Sequence, residues 1–152
     1  MESQAVNIVS GLTNVLLLNI YIPPTTSSPS GYNANIEHLF TAHDSIIMDD
    51  FNVHHPLWHC TLEENQCGTN LAEQIYESNY GVQNENFPTR ITPTVSSSPD
   101  ITIASPSLLL CIEWATQFAL SSDHIPILIS IKRNVVRVNA AKRTYVNFSK
   151  TN

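Results

Sequence analysis

Positive charge is nearly missing from most of this chain. Of its 152 residues only seven are Lys or Arg, against thirteen Asp and Glu, and every acid lies between Glu2 and Asp123. Over residues 1–131 the single cation is Arg90, which leaves a formal −12, whereas Lys132, Arg133, Arg137, Lys142, Arg143 and Lys150 give the last 21 residues +6. An acidic body repels a phosphate backbone unless cations intervene, and a basic tail attracts one by releasing counterions. Residues 132–152 therefore read as a solvated linker, a nucleic-acid-attracting arm or a packed terminus.

Long apolar runs are missing too. The run from Val15 to Ile22 is broken by Asn19 and stopped by Pro23, well short of the ~18 apolar residues that cross a bilayer, so no membrane segment is expected. No positive charge followed by an apolar core opens the chain, so no secretory signal is expected either. The cysteines are only three, Cys60, Cys67 and Cys111, odd in number and widely set. They argue for reduced thiols in an intracellular setting, nucleus or cytoplasm, over a disulfide framework. At this length and 42% hydrophobic content the chain has material for one core, with no internal repeat or long linker.

Against this background four short segments place polar groups at the ends of strand-like runs. In SSDHIPILI, Ser121 to Ile129, Asp123 and His124 stand side by side just before an apolar run. At a strand entrance the two point in different directions, so one can face a metal or phosphate while the other holds a water; the same residues also read as an ordinary polar turn. In SIIMDDFN, Ser45 to Asn52, a short β-branched run ends in Asp49, Asp50 and Asn52, with Phe51 expected to pack inward between the last two. An anionic acceptor beside a neutral amide suits the positioning of water and a phosphate oxygen near a divalent cation, and the plainer alternative is a solvated turn. Tyr21 closes the Val15–Ile20 run in NIYIPP, and Asp100 opens Ile101-Thr102-Ile103 in SSPDITIASP. The Tyr21 hydroxyl has reach to a phosphate, and Asp100 can orient an imidazole as the third member of an acid-base relay. Taken singly, Tyr21 also reads as an edge aromatic and Asp100 as a turn acid.

In the order NIYIPP, DDFN, SPDITIAS, SDHIPI, these segments resemble the endonuclease/exonuclease/phosphatase superfamily, and within it the endonuclease domain of non-LTR, jockey-like retrotransposon polyproteins. HHPLW after DFN, a helix carrying Cys67-Gly68 and NLAEQI, PTR at Pro88 to Arg90, and Trp114 ahead of SDH extend the likeness from about Ala5 to Ile131. The resemblance implies an α/β (α+β) fold, a DNase I-like four-layer sandwich of two mixed β-sheets with outer helices. It also implies Mg²⁺- or Mn²⁺-dependent cleavage of DNA phosphodiesters. Carried over residue by residue, Tyr21 would contact the scissile phosphate, Asp50 would assist the leaving oxygen or orient the nucleophile, and Asn52 would hold water and phosphate. Asp123 would sit at the metal, while His124, polarised by Asp100, would take a proton from water or stabilise developing charge. Thr89 would touch the nucleic-acid backbone, and Ser122 would fix the turn that aims Asp123. RTYVNFSKTN, residues 143–152, is similar to the junction leading toward a downstream reverse transcriptase.

The same resemblance implies two further strands ahead of the first one here, one carrying Asn or Gln and the next a metal-binding Glu. Glu2 is expected to precede the first strand and so not to replace that Glu. Asp49 stands where the family usually has Gly, adding a side chain where the backbone is expected to turn closely. The expectation is thus an N-terminally truncated domain over residues 1–131, with hydrolysis impaired in the isolated chain. Three functional classes follow: a nuclease, a phosphoesterase for small phosphates, and a catalytically silent fold that binds. A rival cluster, His54, His55, His59, Cys60 and Cys67, is zinc-competent, but its spacing matches no common finger and it lacks paired C-x-x-C units. It reads instead as a loop over the cleft in which Trp58 packs.

For secondary structure, periodicity predicts strands near 5–10 and 15–21 joined by a hairpin at 11–14, a loop over 23–33, and a short helix over 35–42. It further predicts a strand at 45–48 and a helix capped by Thr69 or Asn70 and running to Ser78, with Gly81 just past its end. Later strands are expected near 100–104, 112–118 and 125–132.

Overall fold

The computed structural model describes residues 1–10, 13–24, 34–117 and 121–132. The expected hairpin loop at 11–14, most of the 23–33 loop and the basic tail beyond Lys132 lie wholly or partly outside those residues. Nine strands and one α-helix are described. They are β1 (Glu2–Ser10), β2 (Thr13–Tyr21), β3 (Ser45–Asp50), α1 (Gln66–Ser78), β4 (Gly81–Val82), β5 (Arg90–Ile91), β6 (Ser96–Ser97), β7 (Asp100–Ala104), β8 (Ile112–Thr116) and β9 (Ile127–Ile131).

A five-stranded mixed sheet in the order β1-β2-β3-β7-β4 forms the frame, with β5-β6 and β8-β9 as two-stranded sheets. β1 runs antiparallel to β2, β2 parallel to β3, and β3 antiparallel to β7. Alternation along the strands divides the apolar side chains between two cores. On one face Leu18, Ile20, Ile47, Ile101 and Ile103 pack with Phe51, Trp58 and the Leu71, Ala72 and Ile75 stripe of α1. On the other, Val15, Ile46 and Ala104 meet Leu108 and the Ile112, Ile129 and Ile131 side chains of β8 and β9. Each fully buried apolar side chain contributes roughly 1.5–3 kcal/mol, so the two clusters hold the layers together. Trp114 Nε1 donates to Thr102 Oγ1 at 3.2 Å and ties β8 to the main sheet. The result is the expected α/β layering of helix, mixed sheet and second β-layer. A helix beyond β8–β9 is not seen among the described residues.

Several local expectations give way. Glu2 does not precede the first strand; it opens β1 and pairs across from Tyr21. The 35–42 helix shrinks to a single 3-10 turn at Glu37–Leu39; β8 starts at Ile112 as expected but stops at Thr116, with residue 118 outside the described residues, and β9 covers Ile127–Ile131 instead of 125–132. The cap of α1 is Asn65, not Thr69 or Asn70: its side-chain oxygen accepts from Gly68 N at 2.8 Å. Gly68 is required there, because a Cβ would lie 2.1 Å from the His54 carbonyl oxygen. The helix ends on Asn79 in the left-handed region (φ 63°), and Gly81 belongs to β4. Asp49 sits in the regular β3–β7 ladder opposite Ile101, so no tight turn is crowded at that position. The left-handed residue of the segment is Asn52 (φ 49°).

Candidate active site

The site lies at one end of the main sheet, on the face turned toward β8 and β9. Asp50 and Asp100 are directly paired at the end of the β3–β7 ladder. Asn19 pairs with Met48 in the parallel β2–β3 ladder, and two residues further along each strand lie Tyr21 and Asp50. Cross-strand neighbours share a face, so Tyr21, Asp50 and Asp100 form a row across three strands. Tyr21 is 37% exposed at the end of its strand.

Past Asp50 the chain turns sharply. Phe51 is fully buried in the α1-side core, as expected from the alternation, and its N–H donates to the Pro99 carbonyl at 3.0 Å. Asn52 then adopts its left-handed conformation, which Asn tolerates better than most side chains. Its backbone N–H donates to Asp50 Oδ1 at 3.0 Å and its Nδ2 to the Ile22 carbonyl at 3.0 Å. Asn52 thus pins the ends of β2 and β3 together beside the Asp50 carboxylate. Burial pushes the Asp50 carboxyl above its usual range; the Asn52 N–H opposes that shift, and the neighbouring Asp100 charge adds to it.

The imidazole arrives from the far side. Ser121 takes a left-handed turn (φ 63°), and Ser122 Oγ accepts from the His124 N–H at 3.2 Å. His124 Nδ1 lies 3.0 and 3.1 Å from the two Asp100 carboxylate oxygens. With that nitrogen donating to Asp100, Nε2 is the ring's free acceptor, a tautomer assigned from the contact. Asp100 itself is held from behind by Thr89, whose Oγ1 accepts from the Asp100 N–H at 3.1 Å, and by Asn84 Nδ2, which donates to the Asp100 carbonyl at 2.8 Å.

Asp123 stands apart from the row. Its Oδ2 accepts from Arg90 Nε at 2.8 Å, and that guanidinium holds its carboxyl below the usual range. Thr89 is fully buried, with its hydroxyl turned to the Asp100 backbone; contact with a nucleic-acid backbone would require it to leave that position. Its carbonyl accepts from Ile125 N, and the Ile91 N–H donates to the Asp123 carbonyl. The Thr89–Ile91 segment therefore grips Asp100 on one side and the Asp123–Ile125 turn on the other. Sequence patterns single out neither Asn84 nor the Arg90 ion pair as parts of the site. The one available signal was that Arg90 is the lone cation of the body.

The donors at this site are carboxylate and amide oxygens, which in chemistry fit a hard divalent cation that keeps most of its water. Among the described residues no three His, Cys, Asp or Glu side chains converge as a preformed metal-holding group. That statement covers the His54–Cys67 segment, in which His54 and His55 find partners close by. His54 Nδ1 lies 3.4 Å from Cys60 Sγ, and His55 Nδ1 accepts from Leu57 N while its Nε2 lies 3.7 Å from Glu64. Trp58 packs in the α1-side core, fully buried.

A family described as endonuclease-reverse transcriptase matches residues 15–128. The chain is similar in fold to a solved endonuclease domain of TRAS1, a telomere-specific non-LTR retrotransposon, with a TM-score of 0.70 and 22% sequence identity. That match covers 86% of this chain and 61% of the other, so this chain spans less than two thirds of its solved counterpart. No curated protein matches.

Proposed function

We propose, since the chain belongs to the endonuclease-reverse transcriptase family, that its site hydrolyses phosphodiester bonds of DNA with Mg²⁺ or Mn²⁺. The observation that carries this reading is the His124 ring held by both oxygens of Asp100, with Asp50 directly opposite on the neighbouring strand. A carboxylate-oriented imidazole with one free nitrogen is equipped to take a proton from an attacking water, a contribution of roughly 10²- to 10⁴-fold. Asp100 stabilises the imidazolium that results. Asp50, held partly out of solvent, orients the water or assists the leaving oxygen, and Asn52 offers its amide to the same substrate oxygen. Tyr21 presents its hydroxyl to the scissile phosphate from the end of β2.

Asp123 would hold the cation, which when bound supplies charge neutralisation at the phosphoryl oxygens. The basic segment after residue 131 would lead toward a reverse transcriptase in a longer polyprotein. A second reading, a fold that binds nucleic acid without cutting it, is favoured by the Arg90 guanidinium that already occupies the Asp123 carboxylate.

Nicking of supercoiled plasmid distinguishes the two. Cleavage should require Mg²⁺ or Mn²⁺, stop in EDTA, be lost in Asp50→Asn and fall by about 10²- to 10⁴-fold in His124→Ala. Nicking that survives EDTA and both substitutions would reject the mechanism, and a chain that binds plasmid but never nicks it supports the second reading.

A further inference from the structure

Arg90 is the one cation set against thirteen acids in residues 1–131, and it lies on the rim of the candidate site. Its ion pair with Asp123 is solvent-exposed, the two side chains being 43% and 45% accessible. A surface pair of this kind adds little stability, so the pairing by itself does not account for the placement. A guanidinium carries five N–H donors in a planar fork. Nε–H is spent on Asp123, and among the described residues the Nη groups have no protein partner. The Arg90 backbone is held on both sides, through Thr89 N to the Ser97 carbonyl, Ile91 N to the Asp123 carbonyl, and an isolated bridge to His124. A donor fixed in this way loses little freedom when it meets a ligand.

We propose that Arg90 is a substrate-binding residue that takes a backbone phosphate of nucleic acid on its remaining N–H groups, beside His124, while Nε keeps hold of Asp123. This rests on the reading of the site as one for DNA phosphodiesters, and it adds a residue and a contact to that reading. Arg90 gives an otherwise acidic body its one attractive point for a polyanion. It also links phosphate contact to the turn that carries His124.

Anisotropy of a fluorescein-labelled DNA duplex, titrated with the full 152-residue chain in EDTA across a NaCl series, tests the contact without any catalytic step. Removing one phosphate contact flattens the slope of log affinity against log salt by about 0.9. Arg90→Gln should show that change together with several-fold weaker binding, while Arg90→Lys keeps the slope. Asp123→Asn breaks the same ion pair yet should bind at least as tightly as the parent, because it removes a repelling charge and frees the guanidinium. Inorganic phosphate at matched ionic strength should compete poorly with the duplex.

If Arg90→Gln and Asp123→Asn weaken binding equally, the ion pair is purely structural and the proposal fails. If the parent binds and Arg90→Gln keeps its full affinity and slope, the proposal fails while the DNA reading stands. If the parent does not bind the duplex, both fail. Effective competition by inorganic phosphate would replace the nucleic-acid backbone with a simple anion site and also overturn the proposal.

Discussion

Asp50 and Asp100 face each other at the end of the β3–β7 ladder, one carboxylate from each strand on the same face of the sheet. Like charges directly opposite are unfavourable, and the two residues meet this differently. Asp100 is matched directly by His124, whereas Asp50 accepts from the Asn52 N–H and feels the His124 ring only at longer range.

That asymmetry predicts a pH-dependent stability. The Asp50 carboxyl is raised above the ordinary aspartate value of 3.8, chiefly by burial. A raised folded-state pKa favours the fold while the group is protonated, and that contribution disappears as pH rises through the folded value. At neutral pH the ionised Asp50 therefore works against the fold. Asp50→Asn, which keeps an oxygen for the Asn52 N–H, should melt at a higher temperature than the parent at pH 7, with the gap closing near pH 3.5. An equal gap at both pH values would contradict the assignment. The same substitution should abolish nicking, separating stability from function at one residue.

The Asp100–His124 contact predicts strong non-additivity. His124→Ala should lower the nicking rate by about 10²- to 10⁴-fold. Asp100→Asn should cost a comparable factor by loosening the ring and its tautomer, and the double substitution should be little worse than His124→Ala alone, as expected for groups that act as one unit. Single-turnover rates with Mg²⁺ would show it; multiplicative losses would mean that the two residues act separately.

Tyr21, Asp50, Asp100 and His124 were legible in the sequence because each stands where an apolar, strand-patterned run starts or stops, and such run ends cluster at one end of a sheet. The strands β4, β5 and β6 were not legible, since two residues carry no period. The start of α1 was misplaced because Gly68 is a poor helix former and pushes the expected boundary past it; only the 2.1 Å approach to the His54 carbonyl explains why a glycine stands inside the first turn. The Arg90–Asp123 pair joins residues 33 apart, and the burial of Thr89 depends on β5, β6 and β7 coming together. Neither is a local property of the chain.

Thr89 offers a test of that tertiary arrangement. Thr89→Val keeps the shape and removes the acceptor of the Asp100 N–H, leaving a partly buried donor unsatisfied at a cost of about 1–3 kcal/mol. The urea midpoint should fall accordingly and catalysis should fall with it, because Asp100 positions His124. Thr89→Ser, which retains the oxygen, should recover most of the activity. A valine variant with parental stability and activity would show that the contact is dispensable.

Gly68 connects the helix to the site. Replacing an interior helical glycine by alanine ordinarily stabilises by roughly 0.5–1 kcal/mol. Here the new methyl would meet the backbone carbonyl of His54, which has no flexible side chain to swing aside. Overpacking of this kind typically costs about 1–3 kcal/mol, so the steric term should win and Gly68→Ala should be less stable than the parent. His54 lies two residues beyond Asn52, and its displacement would pull on the left-handed turn that holds the Asn52 amide to the Ile22 carbonyl. The variant should therefore lose nicking activity beyond what its folded fraction explains, whereas Glu73→Ala, on the exposed face of α1, should change neither. Denaturant melts and nicking rates measured side by side would decide it, and a Gly68→Ala chain as stable and active as the parent would mean that the close approach to His54 does not hold in solution.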